Sequence, residues 1–338
     1  MRVHPPSCER TIAPRRDRRC QIVPRTLCSL TILAIGIVPE RNGSEELMPT
    51  QNADFAPVIA LHCSGAGAGQ WRQLGETLGP AYTLFAPEHY GCERTGPWTG
   101  THAFTLADEA ARTIDLVDRC RGQVHIVGHS YGGGVALHVA LARPERIASL
   151  ALYEPSAFHL LKALGDKGGA ALAEILRIAR ETGEGVIAGD YARAVAAFVE
   201  YWGGEGAWAA LRPSVQAALI RWVCKAPLDF RALIEEPTQL SAYARLTIPV
   251  LIMRGEHAPK PTRMIAETLR ELLPAARLSI ISGAGHMGPL THGVVVNQLI
   301  TSHIAAAETA ICQLGSLSSP VTAAANLKSS RSFAGAVL

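Results

Sequence analysis

Apolar positions in the middle of the chain follow two rhythms. Short, nearly unbroken runs at residues 58–62 (VIALH), 82–86 (YTLFA), 124–127 (VHIV), 148–153 (ASLALY), 249–253 (PVLIM) and 277–281 (RLSII) have the length and content of strands. Between several of them, apolar residues recur at helical spacing. Residues 106–121, for example, set Ile114, Leu116 and Val117 among acidic and basic neighbours, which predicts an amphipathic helix. Strands alternating with helices predict an α/β class: a mostly parallel sheet with flanking helices on both faces.

One interval breaks the alternation. The stretch from 154 to 248 holds helical patterns, clearest at 174–180, 191–201 and 215–224, and no convincing strand. A crossover between neighbouring parallel strands needs only about a dozen residues. The excess predicts an inserted helical cap over 155–246, with the sheet domain formed by 48–154 and 247–304. Glycine-rich joints at GDKGGA and GGEGAW suit a mobile lid.

The ends read differently. Residues 1–26 are rich in Arg, Pro and Cys, and a twelve-residue apolar run over 27–38 follows. A signal peptide is one reading, although the basic segment is long and no small-x-small cleavage pattern follows. The simpler expectation makes Met48 the start and leaves 1–47 outside the folded unit. In that case little chain precedes VIALH. Either the sheet is short on that side, or residues 31–38 contribute a strand. After Ile304 the chain turns Ala- and Ser-rich, so 305–338 is expected to be a disordered tail.

Charge narrows the class. Net charge is +3 over 338 residues, and all of it lies in 1–47, which hold eight Arg and five acidic residues; 48–338 carry 24 basic and 24 acidic side chains. That balance speaks against nucleic acid as a partner and mildly favours homo-oligomer formation. No apolar stretch reaches the length of about eighteen residues that crosses a bilayer. The eight cysteines include no CxxC pair, and no His cluster has metal-ligand spacing; apart from the three in the first 28 residues, they read as reduced thiols of a cytoplasmic protein.

The strongest chemical signal is Gly128-His129-Ser130-Tyr131-Gly132. A buried strand runs into it and a helix rich in Ala, Val and Leu leaves it. Small residues at 128 and 132 let strand and helix approach around a strained serine. The hydroxyl is thereby presented at the carboxyl end of a central strand, where open parallel sheets bind ligands.

On these residues the chain resembles the α/β-hydrolase superfamily over about 57–304. The resemblance implies that Ser130 is the acyl-enzyme nucleophile. It also implies a base after the last strand, where Gly285-His286-Met287-Gly288-Pro289 follows RLSII. His292 is the nearest rival and is expected inside the final helix. An oxyanion hole needs two backbone N–H donors. Tyr131, after the nucleophile, supplies one, and Ser64 in His62-Cys63-Ser64-Gly65 the other, with Cys63 standing where relatives usually have glycine. No base is placed for thiol chemistry at Cys63. His62 and His129 are expected to brace their turns, while His89 and His102 fall in loops near the expected pocket mouth. The five tryptophans read as packing residues.

The acid of the triad is the open point. Most relatives carry an Asp in a G-x-x-D pattern, which here is Gly255-Glu256-His257-Ala258. Two carboxylates can substitute: Glu154, at the end of ASLALY, where some haloalkane dehalogenases and related hydrolases place theirs, and Glu256. A chain with no functional acid is the third option. The leading expectation is a serine hydrolase of a small ester, thioester or lactone, with Ser130, His286 and Glu154 as the triad. A small-molecule acyl compound is then the substrate, and no metal or organic cofactor is required. The alternatives are carbon–carbon bond hydrolysis by the same triad, and a receptor-like binding protein with little turnover, for which Ala258 is the support.

Overall fold

A computed structural model describes residues 37–38 and 55–318 of the chain. Its centre is a seven-stranded, all-parallel sheet in the order β1-β3-β2-β4-β5-β6-β7. The strands are β1 (Ile37–Val38), β2 (Val58–Leu61), β3 (Leu84–Phe85), β4 (Val124–His129), β5 (Ile147–Tyr153), β6 (Val250–Gly255) and β7 (Ala276–Ile281). The six predicted runs are all strands. The seventh comes from the segment expected to lie outside the fold: Ile37 pairs with Leu84 and Val38 with Phe85. Of residues 31–38, these two are the described part, and they extend the sheet past β3. The remainder of 1–47 lies outside the described residues.

Strands β2 to β6 are buried along nearly their whole length because both sheet faces are covered there, while β7, at the edge, is half-exposed. Side chains alternate between the two faces. On one face Val58, Ala60, Val127, Ala151, Tyr153, Leu251 and Met253 pack with helix α1 (Arg72–Leu78) and with the last helix. On the other, Ile59, Leu61, Ile126, Leu150, Leu152 and Ile252 pack with α2 (Leu106–Arg119) and α3 (Tyr131–Ala142). Helix α2 starts at a capping box in which Thr105 and Asp108 satisfy each other's backbone N–H.

Between β5 and β6 the chain forms only helices: α4 (His159–Ala163), α5 (Asp166–Ile187), α6 (Tyr191–Gly203), α7 (Ala207–Ala210), α8 (Pro213–Trp222), α9 (Ala226–Ile234) and α10 (Leu240–Tyr243). Both glycine-rich stretches lie at joints. GGEGAW places Gly204 and Gly206 at positive φ between α6 and α7. GDKGGA places Gly165 at positive φ between α4 and α5, while a side chain at Gly168 would run into the Leu161 carbonyl, so that second glycine serves the close approach of α5 to α4.

After β6 come α11 (Lys260–Leu272), β7, the short α12 (Gly288–Thr291) and α13 (Gly293–Ser318). Residues 305–318, expected to be disordered, are helical. Val296, Ile300, Ile304 and Ala307 form a buried stripe. Glu308 accepts hydrogen bonds from the Ala56 N–H (2.9 Å) and His125 Nε2 (2.9 Å), tying the helix to the sheet. The alanine content that suggested disorder is equally the content of a good helix. The tail beyond 318 lies outside the described residues.

Candidate active site

β4 is the fourth of seven strands, and Ser130 follows it directly. Its φ of 54° lies in the left-handed region, which costs energy for a residue with a Cβ. Two glycines make the turn sterically feasible. A Cβ on Gly128 would lie 2.6 Å from the Gly132 carbonyl oxygen, and one on Gly132 would run into the Leu61 and His62 carbonyls. Serine at a helix N-cap usually spends its hydroxyl on the first-turn N–H groups. Ser130 does not; its Oγ lies 2.9 Å from His286 Nε2 and 3.1 Å from Ser156 Oγ.

His286 sits in the loop after β7, in a buried position. Its Nδ1 lies 2.8 Å from Glu154 Oε2, and Glu154 is fully buried at the end of β5. Glu154 also has a positive φ, 41°, which turns its side chain at the strand end. Its carboxylate accepts the Gly255 N–H at Oε1 (2.9 Å) and the Thr262 hydroxyl at Oε2 (2.7 Å). Three donors hold this buried carboxylate, as a buried charge requires. Backbone bonds fix the strand ends: Ser130 N–H donates to Tyr153 O (3.0 Å) and Glu154 N–H to Met253 O (2.9 Å).

Glu256 goes elsewhere. Its carboxylate is on the surface, where the Gly283 N–H and Ser282 hydroxyl (2.9 Å each) hold it below its ordinary pKa. Ala258 is buried and offers no acid. His292 is not within the final helix but at its entrance, with Nδ1 2.9 Å from Thr291 Oγ1.

Ser64 and Tyr131 both border the space beside Ser130. Tyr131 opens α3, so its N–H has no intrahelical acceptor. The two loops are braced by His129, as expected, and by Gln70, whose role the sequence did not disclose. Cys63 N–H donates to Gln70 Oε1 (3.1 Å), Gln70 Nε2 lies 3.1 Å from His129 Nδ1, and His129 Nε2 lies 2.9 Å from the His286 carbonyl. A carbonyl only accepts, so His129 carries its proton on Nε2 and accepts from Gln70. Burial holds its pKa well below the ordinary value, which keeps it neutral. A single chain of bonds thus joins the Ser64 loop to the His286 loop. Burial likewise pulls His62 down to about 3 and pushes the Cys63 thiol up to about 12. Cys63 is therefore no nucleophile at neutral pH.

Behind Tyr131 lies a buried ion cluster. Lys225, in the turn between α8 and α9, reaches Glu109 Oε2 of α2 (2.9 Å), the Tyr131 hydroxyl (3.4 Å) and Asp229 Oδ1. The Ser64 hydroxyl donates to Asp229 Oδ2 (2.7 Å), and Tyr131 OH to Glu109 Oε2 (2.8 Å). Burial works against the Lys225 ammonium, but the Asp229 and Glu109 carboxylates outweigh it and hold the lysine above its ordinary pKa. Asp229 stays raised because its burial exceeds the help from Lys225. His89 faces Glu109 at 3.5 Å in this cluster, and His102 pairs with Asp108 at the surface; neither borders Ser130.

A cavity of about 400 Å³ opens at Ser130 and His286. Its walls come from the inserted helices, with Phe198, Trp202, Leu211 and Leu219, and from Met287 and Leu290 after His286. Among the described residues, no charged side chain lines it. Trp202, expected only to pack, covers the imidazole with ring centroids 4.3 Å apart.

Comparison with known proteins agrees with this architecture. Lipase LipV of Mycobacterium tuberculosis is 35% identical over 101 residues, 30% of this chain; the chain spans only 38% of LipV's length. Among solved structures, a hydrolase from Pseudomonas aeruginosa superposes with TM-score 0.58 at 21% identity, covering 74% of this chain and 90% of that one. Carboxylesterase CesB of Bacillus subtilis superposes with TM-score 0.54 at 20% identity, covering 75% and 84%. At such identities these two show the fold. The model of the alpha/beta hydrolase family matches residues 58–299, and with the parallel sheet and the serine turn after its central strand, this chain belongs to that family.

Proposed function

We propose that the protein is a serine hydrolase of carboxylic esters, thioesters or lactones. The observation that carries the reading is the hydrogen-bonded line Ser130 Oγ, His286 and Glu154 (2.9 and 2.8 Å) at the inner end of an apolar cavity. In it, His286 Nε2 takes the Ser130 proton as Oγ attacks the acyl carbon, and Glu154 holds the imidazole in the tautomer with its proton on Nδ1 and stabilises the imidazolium. The backbone N–H groups of Ser64 and Tyr131 receive the oxyanion. His286 returns the proton to the leaving oxygen, then activates water to release the acid from Ser130.

The missing acid at 258 is what favours a protein that only binds. A carboxylate on Nδ1 of His286, held by three donors, weighs against that reading. Hydrolysis of short p-nitrophenyl esters tests the proposal, together with labelling by a fluorophosphonate. The parent protein is expected to hydrolyse and to label, and Ser130→Ala to do neither. A parent that folds, rejects every acyl length and stays unlabelled would sink the proposal.

A further inference from the structure

Two spaces meet at Ser130, and they differ in size and in their relation to the base. The large cavity, about 400 Å³, has His286 in its wall, and Met287 and Leu290 continue that wall. The second is about 20 Å³, bordered by Ser156, Phe158, Phe230 and Leu233, by Ser64 and Tyr131, and by Asp229; Phe198 and Trp202 border both spaces, while His286 borders only the larger. That volume admits about one water or one methyl group. Phe158 is 1% exposed and Leu233 3%, so this wall is part of the core and does not yield easily.

The chemistry proposed above orients an ester between the two. Ser130 Oγ bonds to the acyl carbon while its proton passes to His286 Nε2. The carbon–oxygen bond to the leaving alcohol then breaks, and Nε2 protonates that oxygen. The alcohol must therefore lie on the His286 side, and the acyl substituent on the opposite side, beyond the oxyanion donors. We infer that the substrate class is an ester of a very short acyl group, acetyl in size, with a bulky apolar uncharged alcohol. The large cavity takes the alcohol, and the space of about 20 Å³ takes the acyl methyl. This rests on the serine hydrolase reading and adds its direction: the products are an acetyl-sized acid and an apolar alcohol.

The decisive comparison is between isomers, hexyl acetate and methyl heptanoate, followed by acid release in a pH-stat. They share composition and differ only in which side of the ester carries the chain. Hexyl acetate is expected to have a kcat/KM at least about tenfold higher, since one methylene too many in a closed pocket already costs about that much. A smaller ratio, or an inverted one, overturns the assignment. Methyl acetate separates the two readings. If it is turned over while the isomer ratio is inverted, only the pocket assignment falls; if it is not, and Ser130 fails to label, the hydrolase reading falls with it. Leu290→Trp, at a half-exposed position that tolerates size, narrows the large cavity and should lower the ratio of hexyl acetate to methyl acetate turnover. An unmoved ratio places the hexyl chain elsewhere and overturns the assignment. Phe158→Ala, where it folds, should instead raise methyl heptanoate relative to hexyl acetate.

Discussion

Glu154 holds a backbone conformation that few side chains accept, φ 41°, and a side chain with no contact with water. Both costs are offset by what converges on the carboxylate: the Gly255 N–H, the Thr262 hydroxyl and His286 Nδ1. A glutamine at this position keeps the shape but sets an amide against the imidazole, favouring the wrong tautomer. Glu154→Gln is therefore expected to lower kcat on p-nitrophenyl acetate by about 10³–10⁴-fold with the fold intact. Glu256→Gln, at a surface turn, should stay within about twofold of the parent. The reverse pattern in the two rates would make Glu256 the functional acid.

At the scale of elements, the Lys225 cluster links the inserted helices to the sheet domain. Lys225 and Asp229 come from the turn before α9 and from α9 itself; Glu109 and Tyr131 come from α2 and α3, and Ser64 from the loop after β2. The two residues assigned to the oxyanion hole are thus both anchored to one buried ammonium. Lys225→Met retains the length and removes the charge, leaving two carboxylates in the interior. It should cost about 3–5 kcal/mol in urea unfolding, because a buried charge without its partner is far worse than no charge at all. Adding Glu109→Gln and Asp229→Asn should restore at least half of that loss. A single Lys225→Met variant as stable as the parent would show that the cluster contributes nothing to holding the helices down.

For the whole molecule, the last helix closes one face of the sheet and brings one buried histidine, His303, with it. His303 lies close to the Leu150 carbonyl (Nε2 to oxygen 3.1 Å), and burial pulls its pKa down to about 4. His62 is pulled down to about 3 for the same reason. The folded pKa lies below the unfolded value of 6.5, so between those values the unfolded chain binds protons that the folded one refuses. Stability is then fully present above about pH 6.5 and falls with acid, by at most about 3 kcal/mol for His303 on reaching pH 4. His303→Gln should flatten the dependence of unfolding free energy on pH by up to about 1.4 kcal/mol per pH unit in that window. Equal slopes in parent and variant between pH 4 and 6.5 would contradict a neutral buried His303.

How far the sequence carries depends on the distance over which each feature is decided. Strands β2 to β6 are readable because a strand covered on both faces must be apolar at nearly every position, and that is a local property; β7, half-exposed at the sheet edge, is still a short apolar run. The serine turn is readable for the same reason: strand, glycines, serine and helix are consecutive, and their steric demands act between neighbours. His286 follows from its place after the last strand. The choice between Glu154 and Glu256 is not local. It turns on where two strand ends meet, on a positive φ at Glu154, and on Thr262, 108 positions away, donating to it. The tail misread over 305–318 has a similar origin, since Glu308 finds its partner His125 183 positions earlier. Nor does the sequence announce Lys225 and Glu109 as partners, or Gln70 and His129 as the tie between two loops; such polar pairs become favourable only once folding removes water from both members. By itself, then, the sequence determined the fold class, the strained serine turn and the position of the imidazole. Tertiary structure alone decided which carboxylate meets that imidazole, what braces the two loops, and how the space around Ser130 is divided, because these rest on contacts between distant segments enclosed in an interior of low polarity.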